Sequence, residues 1–128
     1  MSTKNFLSIY AVVILLYGLL FLFLPGTAYD LYGISDQSSD LSTNLLGGLG
    51  SVFIPAGIMA WLARDASASH GRKGILVFIA LSSLIFLIRN LMGVFAGVTF
   101  GAMTYVDLIV QALFAGGGFY LLRNEKGS

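Results

Sequence analysis

The amino-acid sequence predicts an all-α fold: a four-helix transmembrane bundle with both termini on the cytoplasmic side. Three observations carry this. Of the 128 residues, 57% are apolar and 10% are charged, and the mean hydropathy is +0.88. Soluble domains carry about 25% charged residues, so charge is too sparse here to solvate a globular surface. Four apolar segments each approach the ~20 residues that cross a ~30 Å hydrocarbon core. Six of the seven basic residues fall on one side of the membrane when the four segments are threaded through it.

The elements follow in order, as one domain over residues 1–128. The first span is read at 6–24, where Pro25-Gly26 ends it. That run is longer than the roughly 7–15 residues of a signal-peptide core, so it is read as a retained helix. The connection over 25–42 divides in two. Its first part, AYDLYGI, suits the membrane interface. The second, SDQSSDLS, is turn-rich and offers Asp40 or Ser42 as a helix cap. The second span is read at 43–63 and ends at Arg64-Asp65. Pro55 inside it is expected to kink it and release the Ser51 carbonyl. The third span is read at 74–96, and a short connection leads to the fourth, at 104–122. Backbone polar groups in lipid must be satisfied within each segment, so these spans are helices. A β-barrel would need alternating polarity, which a run such as VVILLYGLLFLFL lacks.

Orientation comes from Lys and Arg. Lys4 precedes the first span; Arg64, Arg72 and Lys73 lie between the second and third; Arg123 and Lys126 follow the fourth. The first connection carries Asp30, Asp36 and Asp40 and no basic residue. The expected location is therefore the inner (plasma) membrane, multi-pass, with the lipid bilayer as the first partner.

Several functions are excluded at this level. The net charge of +1 and the scattered basic residues give no nucleic-acid surface. The chain has no cysteine and one histidine, His70, so no metal site, thiol chemistry or cofactor is expected. No nucleophile–base pair, HExxH or phosphate loop is present, and no catalytic residue is assigned.

The informative residues are polar ones inside the spans. Charge at a helix centre costs about 2.5–3.5 kcal/mol even on lenient scales, so each should face the bundle. Arg89 lies roughly 22 Å along its helix from Gly74, and Asp107 roughly 5 Å from the start of the fourth span. Their similar depth predicts an Arg89–Asp107 ion pair in the outer half. Helical spacing places Asp107, Gln111, Ala115 and Gly118 on one face, Ser82, Arg89, Gly93 and Gly97 on another, and Asn44, Gly48, Ser51 and Pro55 on a third. Small and polar stripes of this kind line bundle interiors in lipid. The candidate ligand-binding set is Arg89, Asp107, Gln111, Asn44 and Asn90, the last turned about 100° from Arg89. Two readings of the set stay open: a fastener between helices, or a binding or proton-handling site. Tyr17 shares a face with Tyr10 and is expected to donate to an acceptor within the bundle. Trp61 reads as an interfacial anchor. The Gly93, Gly97, Gly101 series and the Gly116–Gly118 run read as packing faces, which also offer a surface for a membrane-protein partner or a homodimer.

FLFLPGTAYDLYGI at the end of the first span, STNLLGGLG at the start of the second, IRNLMG in the third and the acid early in the fourth resemble a bacterial family. This is the group of small four-helix membrane proteins loosely similar to the DoxX-like proteins. Its members carry an Arg before paired glycines at the start of the second helix. Here Asn44, Leu45 and Leu46 precede Gly47 and Gly48, with no Arg. The resemblance maps the third-helix Arg to Arg89 and the fourth-helix acid to Asp107. It implies the fold and no particular reaction. The expected function is a non-catalytic accessory, partner-binding or small-ligand-binding bundle with its polar cluster in the outer half. The alternative is a small proton-coupled transporter using Asp107 and Arg89.

Overall fold

A computed structural model describes residues 1–125; Lys126, counted above with the basic residues, lies outside them. The chain forms α1 (Thr3–Phe23), α2 (Pro25–Leu31), α3 (Asp40–Ala63), α4 (His70–Phe95) and α5 (Ala102–Asn124), with a 3-10 turn at Ser35–Gln37. Four of these, all but α2, are long and apolar enough to cross a membrane. They match the predicted spans in number and order.

The helices of the first three spans begin before their hydrophobic runs, because side-chain caps rather than hydropathy set those starts. Ser2 accepts from the Asn5 N–H at 3.2 Å. Ser69 accepts from the Arg72 N–H at 3.2 Å, starting α4 one turn before Gly74. The cap of α3 is Ser39, in place of the expected Asp40 or Ser42. Ser39 Oγ accepts from the Ser42 N–H while the Ser42 hydroxyl answers the Ser39 N–H. This reciprocal box satisfies two backbone donors that Asp40 alone would leave open.

The helices pack as two antiparallel pairs, α1 on α3 and α4 on α5. Glycine sets how close each pair comes. A Cβ on Gly50 would stand 2.8 Å from the Gly18 carbonyl oxygen, and one on Gly57 2.6 Å from Leu15 Cγ. On α5, a Cβ at Gly118 would meet Ala80 Cβ at 2.9 Å. Association in lipid rests on such close contact, because lipid tails are as apolar as the side chains.

Three expected stripes meet different fates. Asp107, Gln111, Ala115 and Gly118 do face inward. Asn44, Gly48, Ser51 and Pro55 are exposed, because α3 presents its neighbouring Gly50–Gly57 row to Gly18 of α1. On α4 the inward row is Leu76, Ala80, Ser83 and Asn90, and Arg89 and Gly97 are exposed. The Gly93–Gly101 series is mostly not a packing face. Gly97 has φ 82° and follows the end of α4, with the Val98 N–H on the Gly93 carbonyl at 2.8 Å. That is a glycine-terminated helix end. Gly101, with φ 58°, leads into α5.

The two pairs join firmly at the end that carries the termini. Phe6 and Tyr10 of α1 meet Phe114 of α5 edge-on, at 6.0 and 5.1 Å between ring centres. Ala60, Leu76, Ile79 and Leu121 complete this core. Lys4 pairs with Asp65 at 2.6 Å, holding the Asp65 carboxyl below its usual range by hydrogen bond and charge. Arg72 pairs with the buried Glu125 at 2.5 Å and also donates to the Ala66 carbonyl. Arg64 lies 3.4 Å over the Trp61 ring, at the same end of the bundle.

Gly50→Ala is expected to cost about 1–3 kcal/mol, the usual toll of overpacking, since the obstructing atoms are backbone. Gly116→Ala, with open space around it, should be neutral or stabilise by up to about 1 kcal/mol through helix propensity. Denaturant titration of helicity in one detergent measures both.

Candidate functional site: the tyrosine-capped cavity

At the opposite end the pairs part, and a cavity of about 270 Å³ lies between them. Its roof is the first connection, whose residues Ala28, Tyr29, Tyr32 and Ile34 line the cavity. Pro25 at the first turn of α2 fixes its entry. Gly33, at φ 67°, ends it, with the Ile34 N–H on the Tyr29 carbonyl at 2.9 Å. Between these two residues the short helix aims both its tyrosines inward. Tyr29, 5% exposed, donates to Ser42 Oγ at 2.8 Å and lies 3.1 Å from Thr43 Oγ1. Ser42 thus serves the α3 cap and the roof together. Tyr32 reaches across to α5 and packs edge-on against Phe100 at 6.1 Å. The Phe100 N–H in turn donates to Thr104 Oγ1 at 2.5 Å.

Asp107 sits where these elements converge. The Tyr17 hydroxyl of α1 donates to Asp107 Oδ1 at 2.6 Å, and the Tyr32 hydroxyl donates to Oδ2 at 2.7 Å. The acceptor expected for Tyr17 is therefore Asp107. Burial, then the hydrogen bond to Asp107 and its negative charge, push the Tyr32 phenol well above its ordinary range. Beside this cluster Asn90 donates to Gln111 Oε1 at 2.9 Å, tying α4 to α5.

The predicted Arg89–Asp107 ion pair does not form. Arg89 is exposed and makes no ion pair or hydrogen bond among the described residues. One helical step separates it from Asn90, and only one of the two can face α5. Gln111 of α5 accepts from Asn90, and the long Arg89 stem can carry its charge to the interface from the outer turns of the helix. Asn44 is also exposed, off the cavity wall. The structure thus brings together Asp107, Gln111 and Asn90 and leaves out Arg89 and Asn44. It adds Tyr32 and Tyr29, which sequence reasoning placed at the interface. Pro25 and Gly33 bracketing a short amphipathic segment were the available signal of a folded-back turn.

The wall is otherwise aromatic and aliphatic, with Phe21, Phe53, Phe86 and Phe114 contributing rings from all four spanning helices. Among the described residues Asp107 is the one charged group on it. A dry wall with a few convergent polar groups is the usual make-up of a small-molecule site.

Tyr17→Phe and Tyr32→Phe should each cost about 1 kcal/mol, the scale of side-chain hydrogen bonds within membrane bundles; thermal melts in detergent measure this. Tyr32 ionises more easily with the roof open than closed. Its latch is therefore intact below about pH 10, the ordinary tyrosine value, and weakens as pH rises beyond it. Melting temperature should fall more steeply above that pH in wild type than in Tyr32→Phe.

No protein-family model matches the chain, and neither the curated proteins nor the solved structures include one significantly similar to it.

Proposed function

We propose that this is a multi-pass inner-membrane protein, both termini cytoplasmic, that binds a small, largely apolar ligand in the cavity between its helix pairs. The ligand's polar end meets Asp107, Asn90 and Gln111. The observation that carries this reading is the 270 Å³ aromatic-walled cavity with those three polar groups converging on it. It favours the ligand-binding form of a non-catalytic protein over a bare accessory subunit, for which a closed, fully packed bundle would serve. Kinship with the DoxX-like proteins belongs to the same proposal and rests on the short motifs given above. Arg89 takes no part in the site. The carrier alternative therefore keeps Asp107 and loses its partner; substrate flux in proteoliposomes, abolished in Asp107→Asn, would restore it.

Orientation is supported by Lys4, Arg64, Arg72, Lys73 and Arg123, which belong to the terminal end, against Asp30, Asp36 and Asp40 near the roof. The absence of native cysteine makes this simple to check. Ser38→Cys should react with an impermeant maleimide in spheroplasts, and Ser67→Cys only after permeabilisation. The reverse pattern would invert the topology.

For the ligand, native mass spectrometry of gently extracted protein should show a discrete bound small molecule in wild type. Val110→Phe, which fills the cavity, should lack it. Phospholipid alone on both proteins would argue for a structural bundle.

A further inference from the structure

We infer that the cavity is selective for a small lipophilic organic cation, such as an aryl-substituted quaternary ammonium. This rests on the ligand-binding reading and names the ligand's chemistry.

The argument starts from Asp107. A carboxylate offers about four lone-pair positions. Tyr17 and Tyr32 occupy one on each oxygen, so two remain. The phenols orient the group and solvate it, but they bring no positive charge. No Lys, Arg or His lines the cavity among the described residues, and Arg89, the basic residue nearest in sequence on α4, is turned outward. An acid among membrane-spanning helices without a counter-ion is costly, and an incoming cation offsets that cost. An anion would be repelled, and a neutral molecule would leave the acid as it was.

The wall supplies the second observation. Rings of Tyr32, Phe21, Phe53, Phe86 and Phe100 belong to the same cavity lining as the acid. Aromatic faces attract cations through their quadrupole and do so most effectively when water is excluded. They ask for no hydrogen-bond donor, so a quaternary ammonium suits them as well as an amine. Asn90 and Gln111 share one hydrogen bond at 2.9 Å, and the carbonyl oxygen of Asn90 adds a neutral acceptor that a positive head can meet beside the acid. The volume equals roughly nine waters at ~30 Å³ each, which suits one ring and a compact charged head.

The test compares a matched pair of probes on the protein in nanodiscs, with empty nanodiscs subtracted. Benzyltrimethylammonium carries the charge, and neopentylbenzene has the same shape without it. Wild type should bind the cation at least ~10-fold more tightly, a margin within the range of desolvated cation–aromatic and charge contacts. Asp107→Asn, checked for helix content and monodispersity, should lose that preference. Equal or tighter binding of neopentylbenzene to wild type would overturn the inference while leaving a ligand-binding cavity in place. Binding of neither probe by wild type, with Val110→Phe indistinguishable from it, would overturn both. The wild-type ratio decides the matter even where Asp107→Asn does not fold.

Discussion

The carboxylate of Asp107 must be satisfied inside a bundle that lipid surrounds, and the shape of one whole end of the molecule follows from how that is done. The helix pairs α1/α3 and α4/α5 are each welded by glycine contacts, and the pairs touch each other sparingly away from the terminal end. Tyr17 brings α1 to α5. Tyr32 brings the first connection to α5, and in doing so turns a loop into a roof. An unpaired acid in this position would drive the pairs apart or draw in water. Two phenols meet the demand with neutral donors, and a cavity survives because rings of that size cannot also fill the space between the pairs.

Helix number, order and rough extent were legible from hydropathy alone, because lipid permits little besides helices. The inner face of the fourth span was legible too: Asp107, Gln111, Ala115 and Gly118 are the one row there that is polar or small throughout. The second and third spans each offer two adjacent rows of similar character. Gly48, Ser51 and Pro55 compete with Gly47, Gly50 and Gly57, and Arg89 competes with Asn90. The choice is made by the partner helix: Gly18 accepts the Gly50 row, and Gln111 accepts Asn90. That information is not local to the segment, so periodicity could not supply it. The expected ion pair failed for a related reason. Depth matched, but azimuth was free, and opposite charge was assumed to decide it. The tyrosines of the first connection were hidden because interfacial and inward-folded aromatic segments share a composition.

The glycines divide by task in a way the sequence conceals. Gly18, Gly50, Gly57 and Gly118 have helical backbones and lie against another helix, where a methyl group would collide. Gly33, Gly97 and Gly101 have positive φ and end or begin helices. A GxxxG spacing cannot distinguish these, since a helix terminator three or four residues past the last packing glycine gives the same interval. The Gly93–Gly101 series is such a case, with Gly97 after the end of one helix and Gly101 before the start of the next.

The two ends of the bundle are held by different means, and the difference locates where the structure can open. At the terminal end, edge-on rings of Phe6, Tyr10 and Phe114 combine with fully buried Leu7, Leu76 and Ile79 and with ion pairs on both helix pairs. Parting the two pairs there would expose the aromatic and aliphatic core at once, while each ion pair stays within its own helix pair. At the other end the roof is held to α3 by the hydroxyl contacts of Tyr29, to α5 by one phenol–carboxylate bond, and by ring contacts of Tyr32 with Phe21 of α1 and Phe100 of the connection before α5. Side-chain hydrogen bonds in bundles are worth about 0.6 kcal/mol on average, so lifting Tyr32 costs far less than separating the aromatic core. Tyr17, rooted in α1, would stay on Asp107 as Tyr32 leaves, keeping the acid oriented while one of its oxygens becomes available. The cavity therefore has a firmly packed floor, and of the two phenols on Asp107 one belongs to a spanning helix and the other to the roof.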